Sequence, residues 1–271
     1  MNTYKEHYQK CVELASLKEP SNGKYKTVYD LSIDTSFLDN VLLAPSDYYK
    51  ILKSLSKKIS KKLDSKTGVT RRAAADYLNE WRDIPEISEF ADLIMPHIEK
   101  DIFGCHAHIE FVMPYRSIHD GVAEASWLWH YDDCPNEFLK FVVYLNNVDE
   151  HNGCFQYIEE KDGNVAVIHS NREAPNMKGP QLYEGSRVPE EVIKQKTEEG
   201  AEIKSLIGER GTYAMLTPNI FHRATLPKEE TTPRECIFFF IRPSMKKRSP
   251  YVSSDTGSIL SDRDHKAYTL D

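Results

Sequence analysis

A chain of 271 residues, 40% hydrophobic and 28% charged, is long enough to bury a full core and needs neither disulfides nor a structural metal to do so. Its net charge of -7 leaves no general basic footprint, which excludes nucleic acid as an expected partner. Five scattered cysteines without a C-x-x-C pair read as reduced thiols, the polar N-terminus has no signal-peptide run, and no apolar stretch is long enough for a membrane helix, so a cytoplasmic protein with no membrane partner is expected.

The first hundred residues are expected to be mostly helical. Residues 3–17 place Tyr4, Tyr8, Cys11 and Val12 at helical spacing before Glu19-Pro20-Ser21-Asn22-Gly23 breaks the pattern. Residues 26–33 alternate as a strand does. Pro45-Ser46-Asp47 then signals the start of a helix over 48–63, with Tyr49, Leu52, Leu55, Ile59 and Leu63 on one face and Lys53, Lys57, Lys58, Lys61 and Lys62 largely on the other. That lysine run is a solvated outer face before it is an anion-binding patch. Two further helices are expected over 73–81 and 88–103, the second with Phe90, Ile94, His97, Ile98 and Phe103 inward.

From Cys105 the pattern becomes that of strands. Residues 105–117 alternate, with His106 and His108 on one face as rival metal ligands and Tyr115 and Arg116 toward a pocket rim. Strands are expected over 127–132, 138–146 and 154–158, with Asn152-Gly153 marking a tight reversal. Residues 159–199 are irregular and rich in Pro, Gly and Asn, a binding loop or lid with a charged helix over 189–199. Strands resume at 201–206 and 211–216, a turn at Thr217-Pro218-Asn219 leads into Ile220-Phe221-His222, and 234–241 is the most apolar run and a central strand. One domain over 1–271 is expected: helical support over 1–104, a β core over 105–243 with an insertion over 159–200, and a polar tail over 244–271. The strand series with such turns suggests a sandwich or jelly roll.

Within this series His130-Tyr131-Asp132 carries the chemistry. On an extended strand His130 and Asp132 project to one side and Tyr131 to the other. With a second histidine, for which His222 is the candidate, they make a 2-His-1-carboxylate set that leaves positions open on a metal, as suits non-haem Fe(II) oxygenases. His-x-Asp alone arises by chance about 0.7 times in a chain of this composition. Its context carries the weight.

That context resembles the Fe(II)/2-oxoglutarate dioxygenases of the phytanoyl-CoA dioxygenase-like group. The matching residues are Trp129-His130-Tyr131-Asp132, Phe138-Leu139-Lys140, the run from Tyr144-Leu145 through Val148-Asp149-Glu150 to Asn152-Gly153, then Gly211-Thr212, Phe221-His222-Arg223 and Arg234, so that the resemblance spans about 105–243. It implies a mainly β fold with flanking helices, a double-stranded β-helix (jelly roll, cupin-like) behind a helical N-terminal region. It implies Fe(II) held by His130, Asp132 and His222, 2-oxoglutarate as cosubstrate with its distal carboxylate on Arg234, and O2 as oxidant. A planar, permanently charged guanidinium suits that carboxylate. The group often has a small hydroxyl residue just after the second histidine; here Arg223 and Ala224 follow, which leaves Thr225 or Tyr144 as helpers, although Tyr144 also reads as an ordinary core aromatic. Related halogenases lack the carboxylate, so Asp132 favours hydroxylation.

The substrate expected is a polar small molecule, an amino acid or carboxylate metabolite, lined by Tyr115, Arg116, Trp127 and Arg172. A cupin-like protein that binds a small molecule or metal without oxidation is the alternative. Zinc hydrolysis on the same ligands would need a nearby general base, for which only Glu124 and Asp133 are adjacent.

Overall fold

The structure, a computed structural model, describes residues 3–15, 31–41, 45–170 and 181–258. Two antiparallel sheets form its centre. The larger runs in the order β1 (Ile33–Asp34), β8 (Tyr213–Leu216), β5 (Leu139–Tyr144), β10 (Glu235–Pro243), β4 (Ala107–Ser117), β3 (Ala75–Leu78), β2 (Val69–Arg72). The smaller runs β7 (Glu202–Leu206), β6 (Phe155–Glu159), β9 (His222–Ala224), and the backbone of His130 bridges to His222.

From β4 onward the chain passes back and forth between these sheets. β4 lies in the larger, His130 in the smaller, β5 in the larger, β6 and β7 in the smaller, β8 in the larger, β9 in the smaller and β10 in the larger. This winding is the double-stranded β-helix expected from the sequence.

Every residue of β5 and β10 is buried, because both faces of the larger sheet are covered. On one face Leu139, Phe141, Val143, Ile237, Phe239 and Ile241 pack against the helices α3 (Pro45–Ser65) and α4 (Pro85–Ile98). On the other, Val142, Tyr144, Cys236, Phe238 and Phe240 face the inside of the roll. The helices α1 (Tyr4–Ala15), α2 (Phe37–Val41) and α5 (Glu190–Glu198) complete the α-helices among the described residues. No helix among the described residues is long and apolar enough to cross a membrane.

Several local expectations differ from the observed structure. The helix expected over 73–81 is instead β3 followed by a 3-10 turn at Trp81–Asp83. The alanine-rich stretch has good helix propensity, but Ala73 takes a positive φ of 51°, and β3 pairs with both β2 and β4. Asp76, 2% exposed, accepts from Lys66 at 2.5 Å and Arg71 at 2.9 Å, which anchors the hairpin.

The strand expected over 127–132 is a 3-10 turn at Ala125–Trp127 and a single bridge at His130. Positive φ at Ala125 and Asp133 bends the chain at both ends of this stretch. On α3 it is Tyr48, 3% exposed, that faces the core, while Tyr49 is 58% exposed. The strand expected over 26–33 falls largely outside the described residues; only Ile33–Asp34 is seen.

The tail does not hang free over its described part. Tyr251 donates to Glu99 Oε2 at 3.0 Å, Arg82 donates to the carbonyl of Thr256, and β11 (Gly257–Ser258) pairs in parallel with Phe111 and Val112 of β4. At the Asn152-Gly153 reversal, Gly153 has φ 90° and a Cβ there would lie 2.9 Å from the carbonyl oxygen of Thr225, so the turn requires glycine.

Phe90 ties the helical layer to the sheet, with its ring 6.1 Å from Phe141, 5.9 Å from Phe239 and 5.7 Å from Tyr48. Phe90→Ala should destabilise the fold by about 3–5 kcal/mol through lost transfer energy and a residual cavity. Urea denaturation with an unchanged m-value checks this.

Candidate metal centre

The smaller sheet brings the two histidines together by their backbones. His130 N–H donates to the carbonyl of His222 at 3.0 Å, and His222 N–H donates back at 2.9 Å. Their rings lie 4.2 Å apart between centroids. Asp132 is held by its own N–H, which donates to the carbonyl of Pro218 at 3.0 Å.

Each imidazole is also oriented from behind. His130 Nδ1 lies 2.8 Å from the carbonyl of Leu128, and His222 Nδ1 lies 2.8 Å from that of Ile220. A carbonyl only accepts, so both Nδ1 atoms carry the proton and both Nε2 atoms present a lone pair. Asp132 Oδ1 is 3.7 Å from His130 Nε2, and Asp132 Oδ2 is 3.7 Å from His222 Nε2. Among the described residues this is the one group of three or more His, Cys, Asp or Glu with metal-ligand proximity, its donor atoms all within 4.8 Å.

The electrostatics suit ligation. Burial, then the neighbouring His222, holds His130 well below the ordinary histidine range, against an opposing pull from Asp132. Burial, then Lys140, lowers His222 to about 4. Both rings are therefore neutral at pH 7, as ligands must be. Two imidazoles with carbonyl-fixed tautomers and one carboxylate fit a divalent transition metal.

Arg234 lies on the same inner wall, fully buried. Its Nη2 donates to Tyr115 Oη at 2.7 Å, and its guanidinium carbon is 5.4 Å and 5.9 Å from the ring centroids of Tyr115 and Tyr144. Nε and Nη1 have no hydrogen-bond partner among the described residues. A buried guanidinium with donors left over is expensive unless an anion completes it. A cavity of about 30 Å³ joins Arg234 to the metal group, walled by Tyr115, His130, Lys140, His222, Arg223 and Phe238 among others. A larger cavity of about 450 Å³, beside Asp39, Tyr157 and Arg210, shares no residue with it.

The remaining site residues expected from the sequence fall in different places. Tyr144 Oη donates to the carbonyl of Leu206 at 2.9 Å and accepts from Phe155 N–H at 3.1 Å, so its hydroxyl braces the sheets while its ring flanks Arg234. Thr225 Oγ1 turns to the carbonyl of Cys154 at 3.4 Å and is not part of the cavity wall. Trp127 is buried with its ring edge-on to Tyr115.

Arg116 does not line the cavity. It follows Tyr115 on β4 and so takes the opposite face, where Nε donates to Glu235 Oε1 at 2.7 Å and Nη1 to Asp64 Oδ1 at 2.7 Å. Arg172 lies outside the described residues. His106 and His108 stand 3.5 Å and 3.6 Å from Glu99 and Glu110, apart from the metal group. Arg242 donates to Glu110 Oε2 at 2.8 Å at the far end of β10.

Two residues beside the candidate metal group have no counterpart among the roles expected from the sequence. Lys140, 5% exposed, donates to Asp132 Oδ2 at 2.7 Å and to His222 Nε2 at 3.2 Å. The signal was present as a lone cation in Leu139–Tyr144, an otherwise apolar strand whose inner face it occupies. Arg223 stacks 4.4 Å from the Trp129 ring centroid and donates from Nε to Gln156 Oε1 at 3.0 Å, on the cavity wall beside His222.

Among known proteins, no family model matches the sequence and no curated protein matches it. Solved structures with a similar course of chain include EctD from S. alaskensis with bound Fe, at 14% identity, covering 73% of this chain and 71% of that one with a TM-score of 0.49. HygX from Streptomyces hygroscopicus with nickel, 2-oxoglutarate and hygromycin B bound is 12% identical, covering 71% and 80% with a TM-score of 0.45. SnoK, a non-heme alpha ketoglutarate dependent carbocyclase from nogalamycin biosynthesis, is 13% identical, covering 79% and 83% with a TM-score of 0.45.

The lowered histidines make a pH prediction. The unfolded chain takes up a proton on His222 near pH 6.5 and the folded chain only near 4, so stability is full above 6.5 and falls as pH drops through this window. Between pH 7.5 and 5, with chelator present, His222 should account for about 2 kcal/mol of lost stability. Urea melts should show this slope reduced in His222→Gln.

Proposed function

We propose that this chain is a non-haem Fe(II)/2-oxoglutarate-dependent oxygenase that hydroxylates a polar small molecule, an amino acid or carboxylate metabolite, with release of succinate and CO2. The observation that carries the reading is Arg234. Its half-completed guanidinium faces the same cavity as the neutral imidazoles of His130 and His222, whose ligand atoms lie within 4.8 Å of the Asp132 carboxylate. A ligand that completes both must present an anionic group at one end and metal-binding atoms at the other, which describes a 2-oxo diacid.

In this reading His130 Nε2, Asp132 and His222 Nε2 hold the iron, which when bound supplies O2 activation coupled to oxidative decarboxylation of the oxo acid. Arg234 grips the distal carboxylate and Tyr115 fixes the guanidinium plane. The carbonyls of Leu128 and Ile220 keep the imidazoles in the ligating tautomer. Met113, Phe155 and Phe238 wall the cavity and keep bulk water from the reacting atoms. Arg223, at the wall and next to His222, is a closer partner for a substrate anion than Arg116.

Hydrolysis on the same ligands is disfavoured by the surroundings. No second carboxylate lines the cavity among the described residues, Glu124 is exposed, and Asp133 is taken up by Ser170 at 3.2 Å and Gln181 at 2.9 Å.

An anaerobic mixture of protein, Fe(II) and 2-oxoglutarate should develop a visible charge-transfer band, absent in His130→Ala and Asp132→Ala. Lack of the band in the wild type, or no succinate release with any substrate screened, would leave the binding-only cupin reading in its place. Arg234→Met should weaken 2-oxoglutarate binding at least about 30-fold, the cost of removing one partner of a buried charge pair.

A further inference from the structure

Lys140 is the residue whose position stability explains least. An ammonium buried to 5% exposure costs several kcal/mol that only well-placed ionic partners offset, and an apolar side chain of similar volume in β5 would carry no such cost. Its Nζ lies 4.8 Å and 5.3 Å from the ring centroids of Phe238 and Phe240, so the inner face of β10 supports it and the group points at the metal ligands.

The ion pair with Asp132 alone would make Lys140 a counter-ion. The second contact argues for more. His222 Nδ1 carries the proton that goes to the carbonyl of Ile220, so Nε2 has a single in-plane lone pair. Lys140 donates to that atom at 3.2 Å. One lone pair cannot serve a metal and a hydrogen bond together. With His222 ligating, Lys140 keeps Asp132 and has a donor released into the cavity that Arg234 also lines.

We propose that Lys140 is a second anchor for the oxo acid, donating to the carboxylate beside the metal while Arg234 takes the distal one. This rests on the oxygenase reading and deepens it: two cations on one cavity select a dianion over a monoacid. Lys140 also supplies the help for which the sequence suggested Thr225, whose hydroxyl turns away to Cys154. The cavity of about 30 Å³ has to widen before a five-carbon diacid can enter.

Anaerobic calorimetry on the Mn(II)-loaded protein tests the assignment with two ligands, 2-oxoglutarate and 2-oxobutyrate, which share the oxo-acid head and differ in the distal carboxylate. Lys140→Met should leave Mn(II) affinity undiminished and weaken both ligands at least tenfold, the worth of one charge-assisted hydrogen bond. Arg234→Met should weaken 2-oxoglutarate alone. Lys140→Gln, with thermal melts matching the wild type, guards against a folding artefact and should show the same pattern as Lys140→Met. Undiminished binding of both oxo acids by folded Lys140 variants, or a loss of Mn(II) affinity alone, would overturn the anchor and leave a counter-ion of Asp132. Wild-type protein that takes Mn(II) but neither oxo acid would overturn the oxygenase reading and this assignment with it.

Discussion

The two backbone hydrogen bonds that His130 and His222 exchange hold the site in register. They extend the smaller sheet by one residue beyond β9, and they set two side chains from distant parts of the sequence on one face at adjacent positions. A one-residue slip would turn a ring to the opposite face. Because the bonds belong to the main chain, the identity of the side chains is left to chemistry rather than to folding. The carbonyls of Leu128 and Ile220 then finish the task by choosing the tautomer.

The larger sheet divides its labour by face. Along β10, Ile237, Phe239 and Ile241 serve the helical layer, while Cys236, Phe238 and Phe240 serve the interior of the roll. The same alternation puts Arg234 inward and Glu235 outward, and puts Tyr115 inward and Arg116 outward. Strand periodicity thus separates an arginine that faces the cavity from one held by Glu235 and Asp64, though Arg116 lies directly opposite Glu235, the residue that follows Arg234. Lys140 obeys the same rule, a polar residue on the inner face between Leu139 and Phe141.

What the sequence disclosed and what it withheld follow from the range of the interactions. The roll was legible because its signals are local: alternation over β4, the Asn152-Gly153 reversal, the apolar run of β10. His130, Asp132 and His222 were legible as ligand types in the right order, and the structure places them within ligand reach of one another. The stretch 73–81 was misread because alanine propensity is local and the pairing of β3 with β4 is not. Residues 127–132 alternate like a strand, yet their backbone donors go singly to His222, Ser186 and Pro218 rather than to one neighbour. Lys140 stands in the sequence as a lone cation in an apolar strand, but its partners Asp132 and His222 become visible only in space. Arg116 was placed at the pocket by nearness in sequence, where face mattered more.

The C-terminal segment has a consequence for the solution behaviour of the sheet. β3 pairs with β4 only over Tyr115 to Ser117, so the middle of β4 would present open backbone donors and acceptors on that side. β11, laid in parallel against Phe111 and Val112 and tethered by Arg82 at Thr256, fills part of this gap. An uncovered strand edge is a template for pairing with another chain. By contributing Gly257 and Ser258 to the sheet, the C-terminal segment occupies backbone positions of β4 that would otherwise be open to another strand.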